Sequence, residues 1–253
     1  MTGRDALRAA LTTADLVVGE AVGVHGVTAG LDVAMLRTPL SENAAVGAAV
    51  GMALAGKRVV VEIVDPRGVT RAAEAIAEAG GLLTRSGGTF RGALVVLAVV
   101  RVGDAIPTAP PGVRLAVAGV AGAIGPIFAA AFLASEPTLV CIAASTLDAT
   151  VGPSNGSRRG TGVTILAIGE GVPLALTTAG ADIVDLGDTS SVSSLGESVR
   201  RTGRVVLLTH GDTSVVSSVL AEAFWHLEAP PVHVRAADGV DALARAIAET
   251  LDP

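Results

Sequence analysis

Along the chain, short runs of unbroken apolar residues alternate with alanine-rich stretches of helical period. Residues 15–19, 58–64, 93–100, 114–118 and 138–143 carry few polar side chains, so each predicts a strand covered on both faces. Residues 4–11, 42–55, 70–84 and 125–134 read as helices. This strand–helix rhythm predicts an α/β fold built on a doubly wound parallel sheet. Residues 150–160 then gather glycine, proline, serine and arginine, which marks a linker over 150–161. A second, smaller α/β unit follows, with strands at 162–169, 182–185, 204–209 and 232–235. Its helices are expected near 173–179, 190–202, 214–227 and 240–251. The expected division is therefore 1–149, a linker at 150–161, and 162–253.

Composition narrows the function classes. At 253 residues and 50% hydrophobic, the chain can bury a large core in two modest domains. A net charge of -6 with no basic patch argues against a nucleic-acid or anionic-membrane surface, and favours protein and metabolite partners. The mean hydropathy of +0.61 raises the question of a membrane span at 115–134, which has no charged residue. Gly119, Gly122, Gly125 and Pro126 break that stretch into a strand at 114–118, a loop, and a buried helix at 127–134. Cys141 is the single cysteine and cannot form an intrachain disulfide; its valine-containing flank places it in a buried strand. The first residues lack a secretory apolar core, so a cytoplasmic address is expected.

The most informative stretch runs from Thr38 to Met52. Pro39 and Ser41 are helix-start signals, and the residues after them are strong helix formers with almost no polar side chain, which predicts a buried helix from about Ser41. Glu42 then falls at the start of an apolar helix. Apolar surroundings would raise its pKa and suit it to sharing a proton with a heterocyclic nitrogen. Gly47 and Gly51 lie four apart on one face. Glycine costs about 0.5–1 kcal/mol relative to alanine within a helix, so the pair points to close approach by another helix, from this chain or another subunit. Helix packing alone also explains the pattern.

Glu42, Gly47, Gly51 and Met52 have the spacing E-x4-G-Φ-x-x-G-Φ, which resembles the signature of the pyrimidine-binding domain of thiamine diphosphate enzymes. The blocks Thr38-Pro39-Leu40-Ser41-Glu42, Gly51 to Ile63 and Arg85-Ser86-Gly87-Gly88 are similar to the β subunit of the E1 component of 2-oxoacid dehydrogenases, of which pyruvate dehydrogenase E1 β is an example. Ser198 to Val206 resembles that family's entrance to its C-terminal domain, and the blocks occur in the family's order. The resemblance implies a pyrimidine-binding domain followed by a transketolase C-terminal-like domain. It implies that Glu42 hydrogen-bonds N1′ of the aminopyrimidine of thiamine diphosphate, and that Leu40 lines the same pocket.

The family's diphosphate-binding domain opens on Gly-Asp-Gly, which this chain lacks; Gly187-Asp188-Thr189 and Gly211-Asp212-Thr213 each miss the last glycine. The resemblance therefore implies that an α-type E1 partner holds the diphosphate and Mg2+ in an α2β2 assembly, with no metal ligated by this chain. The implied activity is cleavage of a 2-oxoacid or ketose and transfer of the acyl unit to a lipoyl group or carrier-protein thiol, in a specialised biosynthetic pathway. A weakened scaffold subunit and a non-enzymatic binding module on the same fold are the alternatives. Two family features are replaced: the histidine-bearing loop by Val102 to Pro110, and an aromatic pair by Asp65-Pro66-Arg67-Gly68. Of the four histidines, His25 lies in the loop before the Glu42 segment, His210 ends a strand, and His226 and His233 read as structural; none has metal-ligand spacing to another. Asp65 and Arg67 read as loop charges available to substrate or partner.

Overall fold

The computed structural model describes residues 1–89, 92–187, 192–210, 221 and 223–251. Its first half is a six-stranded parallel sheet of β1 (Leu16–Gly19), β2 (Met35–Arg37), β3 (Val59–Ile63), β4 (Leu94–Val100), β5 (Arg114–Ala118) and β6 (Thr138–Ala143), in the order β2-β1-β3-β4-β6-β5. Helices α1 (Gly3–Leu11), α2 (Glu42–Leu54), α3 (Gly68–Arg71), α4 (Ala73–Arg85) and α5 (Ile124–Leu133) surround it. Alternation along the strands explains the apolar runs. Val59, Val61, Leu94 and Val96 pack with α2 and α4, while Val60, Val95 and Leu97 turn to the opposite face and pack with α1 and α5. Both faces are covered, so no polar position is needed.

The second half is a four-stranded parallel sheet of β7 (Thr164–Ala167), β8 (Asp182–Asp185), β9 (Val205–Thr209) and β10 (Val232–Arg235), ordered β10-β9-β7-β8. It carries α6 (Gly171–Leu176), α7 (Val192–Thr202) and α8 (Gly239–Leu251). A polar network pins α7 to this sheet. Ser198 Oγ donates to Asp182 Oδ2 at 2.7 Å, Thr164 Oγ1 lies 2.8 Å from Ser198 Oγ and 2.7 Å from Thr202 Oγ1, and Arg201 pairs with Asp182. The expected helix over 214–227 falls largely outside the described residues, as does Gly211-Asp212-Thr213.

The sheets touch directly. The Glu170 carboxylate accepts from Ser145 N at 3.0 Å and from the Ser145 hydroxyl, and Gly187 O accepts from Val117 N. His210 spans the same boundary: its Nε2 accepts from Glu170 N at 3.0 Å, so Nδ1 carries the proton that it directs at Asp104 O, 3.0 Å away.

Three local readings are refined. Strand β2 was not anticipated, because it is three residues long, half-buried to exposed, and sits at a sheet edge without an apolar run. The helix expected at 70–84 is two helices, α3 and α4, that meet at Ala72. The stretch 115–134 divides into β5, a short 3-10 turn at Ala121–Ala123, and α5, with Pro126 in the first turn where its missing N–H leaves no helix bond unmade. Among the described residues no helix is long and apolar enough to cross a membrane. Cys141 is buried in β6, and desolvation pushes its thiol up to about 12, which leaves it inert near neutral pH.

Candidate functional site

A cavity of about 280 Å³ lies beyond the carboxyl ends of β1, β2 and β3. The chain goes outward from β1 to β2, then crosses back so that β3 lies on the other side of β1. Strand order therefore reverses at β1/β3, the place where open α/β sheets form ligand crevices. Gly19 and Glu20 leave β1 on one wall, Thr38 to Glu42 lead from β2 into α2, and Glu62 to Asp65 leave β3, with Arg71 at the end of α3.

Glu42 opens α2. The side chain of Ser41 accepts from Ala44 N at 3.4 Å and so caps the helix, which sets Glu42 at its first position. The Glu42 side chain is 16% exposed, and its Oε1 accepts from Arg71 Nε at 3.0 Å as well as from Arg71 Nη2. Gly68 makes room for it: a Cβ at Gly68 would stand 2.7 Å from Oε1. The Arg71 guanidinium holds the carboxyl below its usual range and outweighs desolvation. This corrects the expectation of a raised pKa, which took account of the apolar helix and not of a cation brought in from α3. Glu42 is an anion here.

Leu40 lies on the rim of the same cavity and is 75% exposed. Thr38 lines it too, and its Oγ1 is buried with no hydrogen-bond partner among the described residues. An orphaned buried hydroxyl costs about 1–3 kcal/mol, so a bound group that reaches it is favoured. Sequence reasoning passed over Glu62, which sits in an apolar run and reads as strand interior. Burial pushes its carboxyl above the usual range.

Other candidate residues are placed elsewhere or are already engaged. Asp65 lines the cavity but pairs with Arg67 at 2.8 Å. His25 is exposed on the loop after β1, His226 is exposed in a 3-10 turn, and His233 Nε2 lies 2.8 Å from Thr209 Oγ1. None of the four histidines lines the cavity. Helix α2 is buried on one face only, through Ala45, Val46, Ala49 and Ala53. Nothing lies within 4 Å of a Cβ built at Gly47 or Gly51, so the close approach expected there is not made within the described residues of this chain.

The residues fit one half of a thiamine cofactor. The volume, the carboxylate at the helix start and the orphaned hydroxyl suit an aminopyrimidine ring. The lining sets the carboxyl groups of Glu20, Glu42, Glu62 and Asp65 against Arg71, a charge balance that disfavours a diphosphate.

No protein-family model and no curated protein matches the sequence. Solved structures do match. A split-gene transketolase, described as an inactive β4 tetramer, superposes with a TM-score of 0.73 over 99% of this chain and 98% of that one, at 20% identity. The fold is transketolase-like. A 2-oxoglutarate:ferredoxin oxidoreductase from Magnetococcus marinus, solved with 2-oxoglutarate, coenzyme A and succinyl-CoA bound, gives a TM-score of 0.65 at 10% identity, covering 98% of this chain and 65% of that one. The transketolase-like fold thus extends over both sheets, in the two-unit α/β arrangement that the sequence pattern predicts.

Proposed function

We propose that the chain is the β-type subunit of a thiamine diphosphate-dependent enzyme, and that the cavity beside Glu42 takes the aminopyrimidine. The observation that carries this is the position of Glu42: an anionic carboxylate at a helix start, on the crevice where strand order reverses, with Leu40 and Thr38 beside it. When bound, the cofactor supplies a nucleophilic thiazolium carbon able to cleave the bond next to a substrate carbonyl. Glu42 accepts a hydrogen bond from N1′ in its protonated form. Both Arg71 contacts fall on Oε1, which leaves acceptor capacity on Oε2. Leu40 covers one side of the ring, and the Thr38 hydroxyl gains a partner.

The acid-rich lining supports assigning the diphosphate and Mg2+ to an α-type partner, in an α2β2 assembly whose contact includes the open Gly47/Gly51 face. The reaction we propose is cleavage of a 2-oxoacid or ketose in the cytoplasm, with the acyl unit passed to a lipoyl or carrier-protein thiol. The similarity in fold to a split-gene transketolase and to a 2-oxoacid oxidoreductase supports this reading. Units at 1–149 and 162–253, joined at 150–161, are part of it.

Co-expression with α-type candidates, followed by thiamine diphosphate binding and 2-oxoacid-dependent acylation of a lipoyl or carrier thiol, tests the proposal. The wild-type pair is expected to bind and acylate, and Glu42→Ala to reduce acylation by about a hundredfold or more. Unchanged binding and turnover in Glu42→Ala would sink it. A weakened scaffold subunit is the second reading, favoured by the Arg71 ion pair and by a cavity with no aromatic side chain to stack on the ring. It predicts a stable pair without turnover.

A further inference from the structure

The cavity holds a carboxyl that the mechanism above leaves unused. Glu62 is the fourth residue of β3, whose other four residues are buried, and it lines the cavity at the carboxyl end of the sheet. Among the described residues its side chain has one hydrogen-bond partner, Thr28, whose Oγ1 lies 3.1 Å from Oε2. The Thr28 hydroxyl also lies 3.3 Å from His25 O and accepts from Gly23 N at 3.2 Å. It has a single proton to give, and the nearer acceptor is Glu62. Among the described residues Oε1 of Glu62 is then left without a protein partner. It lies 3.9 Å from where a Cβ of Gly26 would be, under a loop turned by positive φ at Gly23 and Gly26.

The charged groups that share this cavity are Glu20, Glu42, Asp65 and Arg71. Arg71 is bound to Glu42 and Asp65 is bound to Arg67, so among the described residues no cation and no backbone amide pairs with the Glu62 carboxyl. A carboxylate placed there is partly desolvated and gains no counter-charge among the described residues, which favours the neutral acid. The two glutamates therefore present opposite hydrogen-bonding faces. Glu42 is an acceptor fixed by its arginine, and Glu62, with Thr28 donating to one oxygen, has an O–H on the other to give.

We propose that Glu62 is a second ligand-binding residue of this site, donating a hydrogen bond from its neutral carboxyl to an unprotonated ring nitrogen of the bound heterocycle. This rests on the reading of the cavity as an aminopyrimidine site. It adds a donor on a strand to the acceptor on a helix. A ring that offers one protonated and one bare nitrogen is then held at both, and ionising Glu62 removes the donor and sets a like charge against the acceptor.

The test uses the whole chain labelled with 13C at glutamate carboxyls, and thiamine as the probe, because it carries the pyrimidine without the diphosphate. Affinity and carboxyl shifts are followed from about pH 5 to about pH 9, beyond the ordinary glutamate range. The Glu62 carbon is expected to titrate above that of Glu42, and wild-type affinity to fall about fivefold as Glu62 ionises. Glu62→Gln, which keeps a donor at every pH, is expected to bind thiamine without that fall; comparing the two proteins cancels the probe's own titration. Thermal unfolding of Glu62→Gln at neutral pH, expected at or above the wild-type midpoint, shows that the variant is folded. Identical pH profiles for wild type and Glu62→Gln overturn this inference while leaving the pyrimidine site intact. No thiamine binding to wild type at any pH overturns both.

Discussion

Glu42 and Glu62 face one cavity, and a single neighbour sets them apart: Arg71 reaches Glu42 and does not reach Glu62. The consequence for stability has opposite signs. Glu42, with its folded pKa lowered by Arg71, contributes stability that is present above the unfolded glutamate value and is lost as pH falls through the folded one. Glu62, with its folded pKa raised by burial, contributes stability that is full below the unfolded value and is lost as pH rises through the folded one. Urea titrations at a series of pH values should show Arg71→Ala losing part of the Glu42 contribution at neutral pH and matching wild type more closely in acid. Glu62→Gln should instead lose the decline toward neutral pH. The place of Glu42 at a helix start was legible because Pro39 and Ser41 signal it locally. The Arg71 pairing was not, since 29 residues separate the partners and no periodic signal links them.

At the scale of elements, two glycine-bearing surfaces do different work. Gly68 at the start of α3 lies against Glu42 and Ile63, and an added Cβ would come within 2.7 Å of both. Gly68→Ala should therefore displace Glu42 and weaken thiamine binding about tenfold, seen by titration, while the chain stays folded. The Gly47/Gly51 face of α2 meets nothing within the described chain. Gly47→Leu should leave the lone chain folded by circular dichroism and block co-purification with an α-type partner; a partner that still binds would remove this face from the proposed contact. In the second sheet, Asp182 is almost fully buried and is held by Ser198 and Arg201. Asp182→Ala should cost about 3–5 kcal/mol, by leaving a largely buried arginine, the Ser198 hydroxyl and the Gly160 amide without this acceptor, as measured by denaturant unfolding. Apolar runs revealed nearly every strand; β2 escaped because an edge strand with exposed side chains leaves no such run.

Across the whole molecule, the order of elements and the doubly wound sheet were readable because both faces of every central strand are covered, which forces continuous apolar runs onto the sequence. How the halves meet was not readable. It depends on Glu170 reaching Ser145 and on His210 reaching Asp104, partners 25 and 106 residues apart with no periodic signal. The Val102 to Pro110 loop is thus held by a histidine from the other half. The functional account turns on whether an aminopyrimidine enters the cavity beside Glu42. Titrating thiamine into the methyl-labelled chain tests this most directly. The account predicts shifts confined to Leu40, Val61, Ile63 and Val64 around the cavity, and their loss in Glu42→Ala. Shifts that map elsewhere, or a Leu40 response unchanged by Glu42→Ala, would contradict it.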